Sequence, residues 1–168
     1  MDGKGGIFDM RTYLKQGIAW GCTNFVLQWL LNYVLTLVIP ASLAGKSAPE
    51  NFFDSGPGLI SVIFFVLIFA PLYETLIAQL LPVEILRKCK LPPLMIGFVS
   101  AAIFGGGHYL NGNLQHGIST FFAGAVFACL YLRTRSQGVK SSYVVTALAH
   151  FANNATALLL MGLFGAGI

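Results

Sequence analysis

Five apolar stretches, joined by short polar or basic connections, dominate the pattern of this chain. A bilayer core about 30 Å thick needs roughly 20 apolar residues in helical form to cross it. The stretches run from about Gly17 to Ile39, Gly58 to Leu81, Leu94 to Leu110, Leu114 to Leu132 and Tyr143 to Phe164. They predict an all-α polytopic membrane helix bundle of about five transmembrane helices, a single membrane domain over residues 1–168. The third stretch is short, with Pro92-Pro93 before it and Gly105-Gly106-Gly107 near its far end. The first exceeds the roughly 7–15 apolar residues of a signal peptide, and Ser42-Leu43-Ala44 resembles a cleavage site only loosely, so a retained span is expected.

The polar and small positions inside these stretches also repeat. Gly97, Ala101 and Gly105 recur every four residues, as do Thr120, Gly124 and Ala128. Small residues at that spacing let helix backbones approach closely in lipid. Asn24, Gln28, Asn32 and Thr36 form a stripe on the first span that predicts hydrogen bonds between helices.

Composition agrees with the pattern. Apolar residues make up 56% of the chain and charged residues 10%, against roughly 45–50% and about 25% in soluble domains. A soluble enzyme, a disordered chain and a nucleic-acid-binding module are therefore excluded. The net charge of +4 comes from clusters: Lys4, Arg11 and Lys15; Arg87, Lys88 and Lys90; Arg133, Arg135 and Lys140. Lys46, beside Glu50 and Asp54, lies on the opposite side. The bias toward basic cytoplasmic loops predicts a cytoplasmic N-terminus and an outer C-terminus. The clusters suit anionic lipid headgroups, so membrane lipids are the expected partners and nucleic acid is not. Cys22, Cys89 and Cys129 lack the pairing of a disulfide framework or a zinc knuckle and are expected to pack as small apolar groups. Trp20 suits an interfacial anchor.

Ionisable side chains inside a bilayer are expensive, on the order of 2.5–3.5 kcal/mol each. The spans contain Glu74, His108 and His150. His150 and Asn154 share one helix face, as do Phe104 and His108, because residues four apart lie together. One carboxylate, two imidazoles and an amide can activate water and hold an oxyanion. The same groups also suit interhelical packing, or a proton relay in a small transporter component.

The motifs narrow these alternatives. Glu74-Thr75-Leu76-Ile77-Ala78-Gln79 resembles a variant of EExxxR, Phe104 to His108 matches FxxxH, and His150 to Asn154 matches HxxxN. In this order they resemble the CPBP family, the CAAX proteases and bacteriocin-processing enzymes also called Abi proteins, over about residues 58–164. The resemblance implies an intramembrane endopeptidase acting on a membrane-associated peptide or on a lipidated or transmembrane protein tail. Peptide maturation, bacteriocin processing or immunity are among the family's settings. By its pattern Glu74 would activate water with His108 assisting, while His150 and Asn154 would steady the oxyanion. Thr75, Gln79 and Phe104 would support them. A metal-free mechanism is expected; the alternative is zinc held by Glu74, His108 and His150. The rival from another class is a non-catalytic scaffold, immunity or assembly subunit, and a partner membrane protein would suit so short a chain.

Two further expectations concern geometry. Thr75 and Gln79 replace the family's glutamate and arginine, and a neutral Thr75–Gln79 hydrogen bond is expected where an ion pair would stand. At about 1.5 Å per residue, Glu74 lies about 22 Å past Leu59, His150 about 10 Å past Tyr143 and His108 about 21 Å past Leu94. Counted this way His108 falls nearer the outer face than the other two. His116, in the short outer connection, is expected to be a solvated loop residue.

Overall fold

The computed structural model describes residues 10–40, 43–56 and 58–164. Lys4 of the first basic cluster and Ser42 lie outside them. Five helices are long and apolar enough to cross a membrane, and no strand occurs among the described residues. The chain is a multi-pass membrane protein. The spans are α1 (Met10–Val38), α3 (Leu59–Lys88), α4 (Pro93–Leu110), α5 (Leu114–Thr134) and α6 (Val139–Phe164), with a short α2 (Ala48–Asp54) between the first two.

Several helices outrun their apolar windows. α1 begins at Met10 rather than Gly17, α3 continues to Lys88 rather than Leu81, and α6 begins at Val139 rather than Tyr143. Hydropathy marks where hydrocarbon lies, whereas the hydrogen-bond ladder continues through the headgroup layer. Sequence reading missed α2. Ser47 caps it, its backbone N–H donating to the Glu50 carboxylate at 2.5 Å and its hydroxyl accepting from the Glu50 N–H at 3.4 Å. That reciprocal capping box is a recognisable helix start. Asn51 donates to Asn111 O at 3.5 Å, and Asn113 donates to Gly45 O, so the polar segment after α1 is tied to the turn that follows Leu110.

α3 departs from regular geometry. It is π-helical over Ile63–Phe69 and again over Thr75–Leu80, on either side of Glu74. Pro71 and Pro82 fall within it and each removes a backbone N–H. In hydrocarbon a carbonyl without a donor costs several kcal/mol. Neighbouring helices donate to three carbonyls of α3: Asn154 Nδ2 to Val66 O at 3.0 Å, Tyr143 OH to Leu72 O at 2.9 Å, which the Thr75 N–H also reaches, and Ser100 Oγ to Ala78 O at 2.5 Å. The most irregular helix is thus stapled to α4 and α6 by side-chain hydrogen bonds.

α5 is the centre of the bundle; 56% of its apolar window is buried, against 11% for α3. Phe104, Ala123, Phe127, Leu130, Val145 and Ala149 form the main core, with a partly buried Trp20 packed against it. Small residues do close the α4–α5 contact: a Cβ on Gly105 would lie 2.6 Å from Phe121 Cβ, and one on Gly124 2.8 Å from Phe104 Cβ. Gly97 is different, with open space around its Cβ direction. On α1, Gly21 presses directly on Ala149 O and Ala152 of α6. The predicted polar stripe works toward the C-terminal end of α1, where Gln115 donates to Asn32 O at 3.2 Å and to Thr36 Oγ1 at 3.0 Å. At the opposite end Arg135 holds Glu84 through Nε at 2.6 Å and Nη2 at 3.0 Å, and Tyr131 donates to the same carboxylate.

The two glycines should therefore behave oppositely. Gly21→Val should destabilise the protein by about 1–3 kcal/mol through overpacking against α6, while Gly97→Ala should leave the thermal midpoint in detergent nearly unchanged. Thermal unfolding of both variants beside the wild type checks this.

Candidate active site

Glu74, His108 and His150 converge. Glu74 projects from α3 between the two π-helical segments, His108 from near the C-terminal end of α4 and His150 from the middle of α6. The His108 Nε2 lies 3.7 Å from Glu74 Oε2, and the His150 Nε2 lies 3.6 Å from the same oxygen. The depth mismatch expected from the spans disappears because α3 and α6 extend further than hydropathy indicated. Counted from Lys88, Pro93 and Val139, the three residues stand about 21, 22 and 17 Å up their helices.

Hydrogen bonding assigns the imidazole protons. His108 Nδ1 lies 2.9 Å from Phe104 O, which can only accept, so Nδ1 carries a proton, and in the neutral ring Nε2 then presents a lone pair. His150 has the opposite arrangement. Its Nδ1 lies 3.5 Å from Thr75 Oγ1 while its Nε2 faces a carboxylate. A neutral His150 ring whose Nε2–H points toward Glu74 accepts from the Thr75 hydroxyl at Nδ1. With both rings neutral in these tautomers, one imidazole offers an acceptor to the Glu74 side and the other a donor.

Access differs among the three groups. The Glu74 side chain is 30% exposed and that of His108 22%, whereas that of His150 is 4% exposed. Phe127 stacks on the His150 ring at 4.9 Å, and Phe104 meets it edge-on at 5.5 Å. Phe104 also lies 4.6 Å from the His108 ring, so one aromatic side chain spaces both imidazoles. The gaps of 3.6 and 3.7 Å exceed a direct hydrogen bond and suit a polar atom or water held against the pair.

Two sequence expectations are corrected here. The Thr75–Gln79 hydrogen bond is not made: Thr75 turns to His150, and both polar atoms of the fully buried Gln79 amide lack a protein partner. The π-helical turn from Thr75 to Leu80 alters the i to i+4 register on which that pairing relied. His116 is not a solvated loop residue. Asn113 caps α5 by accepting from the His116 N–H at 2.8 Å, which places His116 in the first helical turn. Its ring lies 5.1 Å from that of His108, with Nε2 buried and without a protein partner. Asn154 shares the face of His150 as predicted; one N–H of its amide donates to Val66 O at 3.0 Å, which leaves the second N–H, and its Oδ1 accepts from Asn153 at 3.3 Å.

Sequence reasoning also missed Phe127. Nothing distinguishes this phenylalanine from the other 13 in an apolar chain; the Asn113 cap, by contrast, was a usable signal for His116. Among the described residues no group of three or more His, Cys, Asp or Glu side chains is disposed to hold a metal ion.

The fold and these groups define a polytopic membrane protein with an acid–imidazole cluster deep within its helices. The family model described as type II CAAX prenyl endopeptidase Rce1-like matches residues 56–156. The chain belongs to this family of proteases. No curated protein and no solved structure matches it.

The tautomer assignment is directly testable. Thr75→Val should lower peptidase turnover about 3- to 10-fold, the worth of one hydrogen bond, and shift the 15N resonances of His150 toward a mixture of tautomers. Thr75→Ser should restore both.

Proposed function

We propose that the protein is an intramembrane endopeptidase in which Glu74 is the general base. The observation that carries this reading is the shared focus of two imidazole nitrogens, from two other helices, on a single oxygen of Glu74. Glu74 Oε2 and the His108 Nε2 lone pair are both acceptors, so a water seated against them donates a hydrogen to each and turns its own lone pair outward. Glu74 takes one proton as the water oxygen bonds to the scissile carbonyl carbon. The His150 Nε2–H donates to the oxyanion that forms. The proton on Glu74 then passes to the departing amide nitrogen as the C–N bond breaks. General acid–base transfer of this kind contributes about 10²–10⁴-fold, and an oxyanion donor acts more strongly where water is excluded.

The proposed substrate is a membrane-associated peptide or a lipidated protein tail, with a prenylated C-terminal peptide as the first candidate because the family's description names prenyl endopeptidases. The basic residues of the inter-helix loops support a cytoplasmic N-terminus and delivery of the tail from that side. The reaction is written without a metal, since each step is assigned to a side chain already in place.

The test uses the full chain in nanodiscs with a fluorogenic prenylated reporter peptide. Glu74→Gln should reduce cleavage at least about 100-fold, and His150→Ala should also reduce it, with the protein still folded in the membrane. Chelators should leave the wild-type rate unchanged. A fully active Glu74→Gln variant would overturn the reading, and chelator inhibition reversed by zinc would replace the metal-free step.

A further inference from the structure

We propose that Asn153 is a positioning residue for the oxyanion site: it holds the amide of Asn154 so that the second N–H of that amide acts beside the His150 Nε2–H. The inference rests on the reading of this site as that of a peptidase. Asn153 occupies one of the unspecified positions of HxxxN, so the motif gives it no task.

The amide orientations follow from one atom. Val66 O can only accept, so Asn154 turns its Nδ2 toward it, at 3.0 Å. The Oδ1 of Asn154 therefore faces the other way, and Asn153 Nδ2 donates to it at 3.3 Å. That leaves the Oδ1 of Asn153 buried and without a protein partner, on a residue only 7% exposed. An amide in this half-satisfied state lowers stability, whereas an apolar side chain of the same shape would not. Packing alone gives no reason for an asparagine here; the donor it supplies to Asn154 does.

The task follows from the two N–H groups of a primary amide. Val66 O holds one, and the second remains on the helix face that Asn154 shares with His150, one turn away. An amide held at a single atom can still swing about that bond. A second hydrogen bond at the opposite end of the group fixes its plane, and with it the direction of the remaining N–H. Donation to the amide oxygen also polarises the group and strengthens its N–H donors, by about 10–30%. The support is itself rigid, because α1 packs closely on this turn of α6. A Cβ on Gly21 would lie 2.6 Å from Ala152 Cβ and 3.0 Å from the Asn153 backbone N. α1 lies outside residues 56–156 that the family model matches, so the backing of this amide pair comes from the rest of the chain.

The test compares four forms of the full chain in nanodiscs with the reporter peptide: wild type, Asn153→Leu, Asn154→Ala and the double variant. Asn153→Leu should lower kcat about 3- to 10-fold. KM should stay within about twofold of the wild type, since the lost contact acts on the transition state. The thermal midpoint should stay level or rise. Solid-state NMR of the Asn154 side-chain amide in bilayers, taken without substrate, should show its N–H groups more mobile in Asn153→Leu. In the Asn154→Ala background the same substitution should lower the remaining rate less than about twofold, because the two residues act as a unit. Should Asn153→Leu fail to fold, Asn153→Ala takes its place, with the same expected kcat, KM and amide mobility.

An unchanged kcat in Asn153→Leu would overturn the proposal, as would an Asn154 amide as ordered as in the wild type. Equal rate losses with and without the Asn154 amide would overturn it too, since Asn153 would then act by another route. A midpoint that falls in step with the rate would reduce Asn153 to a packing residue. If Asn154→Ala leaves no measurable rate, the NMR comparison decides alone. Failure of the peptidase reading shows separately, as normal cleavage by Glu74→Gln, and the mobility of the Asn154 amide is still read without turnover.

Discussion

A peptide carbonyl inside a bilayer must find a donor within the protein, and α3 contains prolines that remove two of the donors. The outcome is not a frayed helix. Asn154, Tyr143 and Ser100 reach across from α6 and α4 to Val66 O, Leu72 O and Ala78 O. These bonds locate α3 along its length and about its axis against both helices that carry histidines. A regular apolar helix would have slid or rotated among its neighbours with little penalty, because lipid tails are as apolar as leucine. The irregularity that weakens α3 as a helix is what allows it to be held in one register.

Placing a carboxylate within a membrane-spanning helix then becomes a matter of surroundings. Glu74 lies between its π-helical segments with two imidazole nitrogens at 3.6 and 3.7 Å. The imidazoles differ because their outer nitrogens have different partners: a backbone carbonyl for His108 and a threonine hydroxyl for His150. Aromatic rings on α4 and α5 exclude other orientations, with Phe104 touching both imidazoles and Phe127 stacked on the buried one. The acid and its two neighbours therefore come from three helices, while the far nitrogen of each imidazole is held by a separate group, the Phe104 carbonyl or the Thr75 hydroxyl.

The sequence exposed the charged centre more readily than its supports. Glu74, His108 and His150 stand out because an ionisable residue in an apolar stretch has few reasons to be there. The five spans are equally visible in the hydropathy pattern, and only their ends shift, at α1, α3 and α6, where helices continue through polar residues. The supports are invisible for a different reason: their meaning depends on which backbone carbonyl lacks a donor. Pro71 reads as a helix interruption, yet its orphan is five residues back rather than four because the preceding turn is π-helical. Fourfold spacing likewise picked out Gly105, which meets Phe121, together with Gly97, which meets nothing. Periodicity finds a face but not the partner.

The departures from the family motif are best understood at Thr75. A glutamate there, paired with an arginine at position 79, would bring two charges into a region where an unpartnered ion is costly. Thr75 is fully buried and directs its hydroxyl to His150, so the position keeps a polar task with a different partner. Gln79 is also fully buried, and its amide finds no protein partner, which is unfavourable but far less so than a lone guanidinium in the same place. The paired loss of charge at 75 and 79 thus removes an ion pair that each member would otherwise oblige the other to keep. What remains is one carboxylate facing the histidines, with the neighbouring hydroxyl setting which nitrogen of His150 faces it.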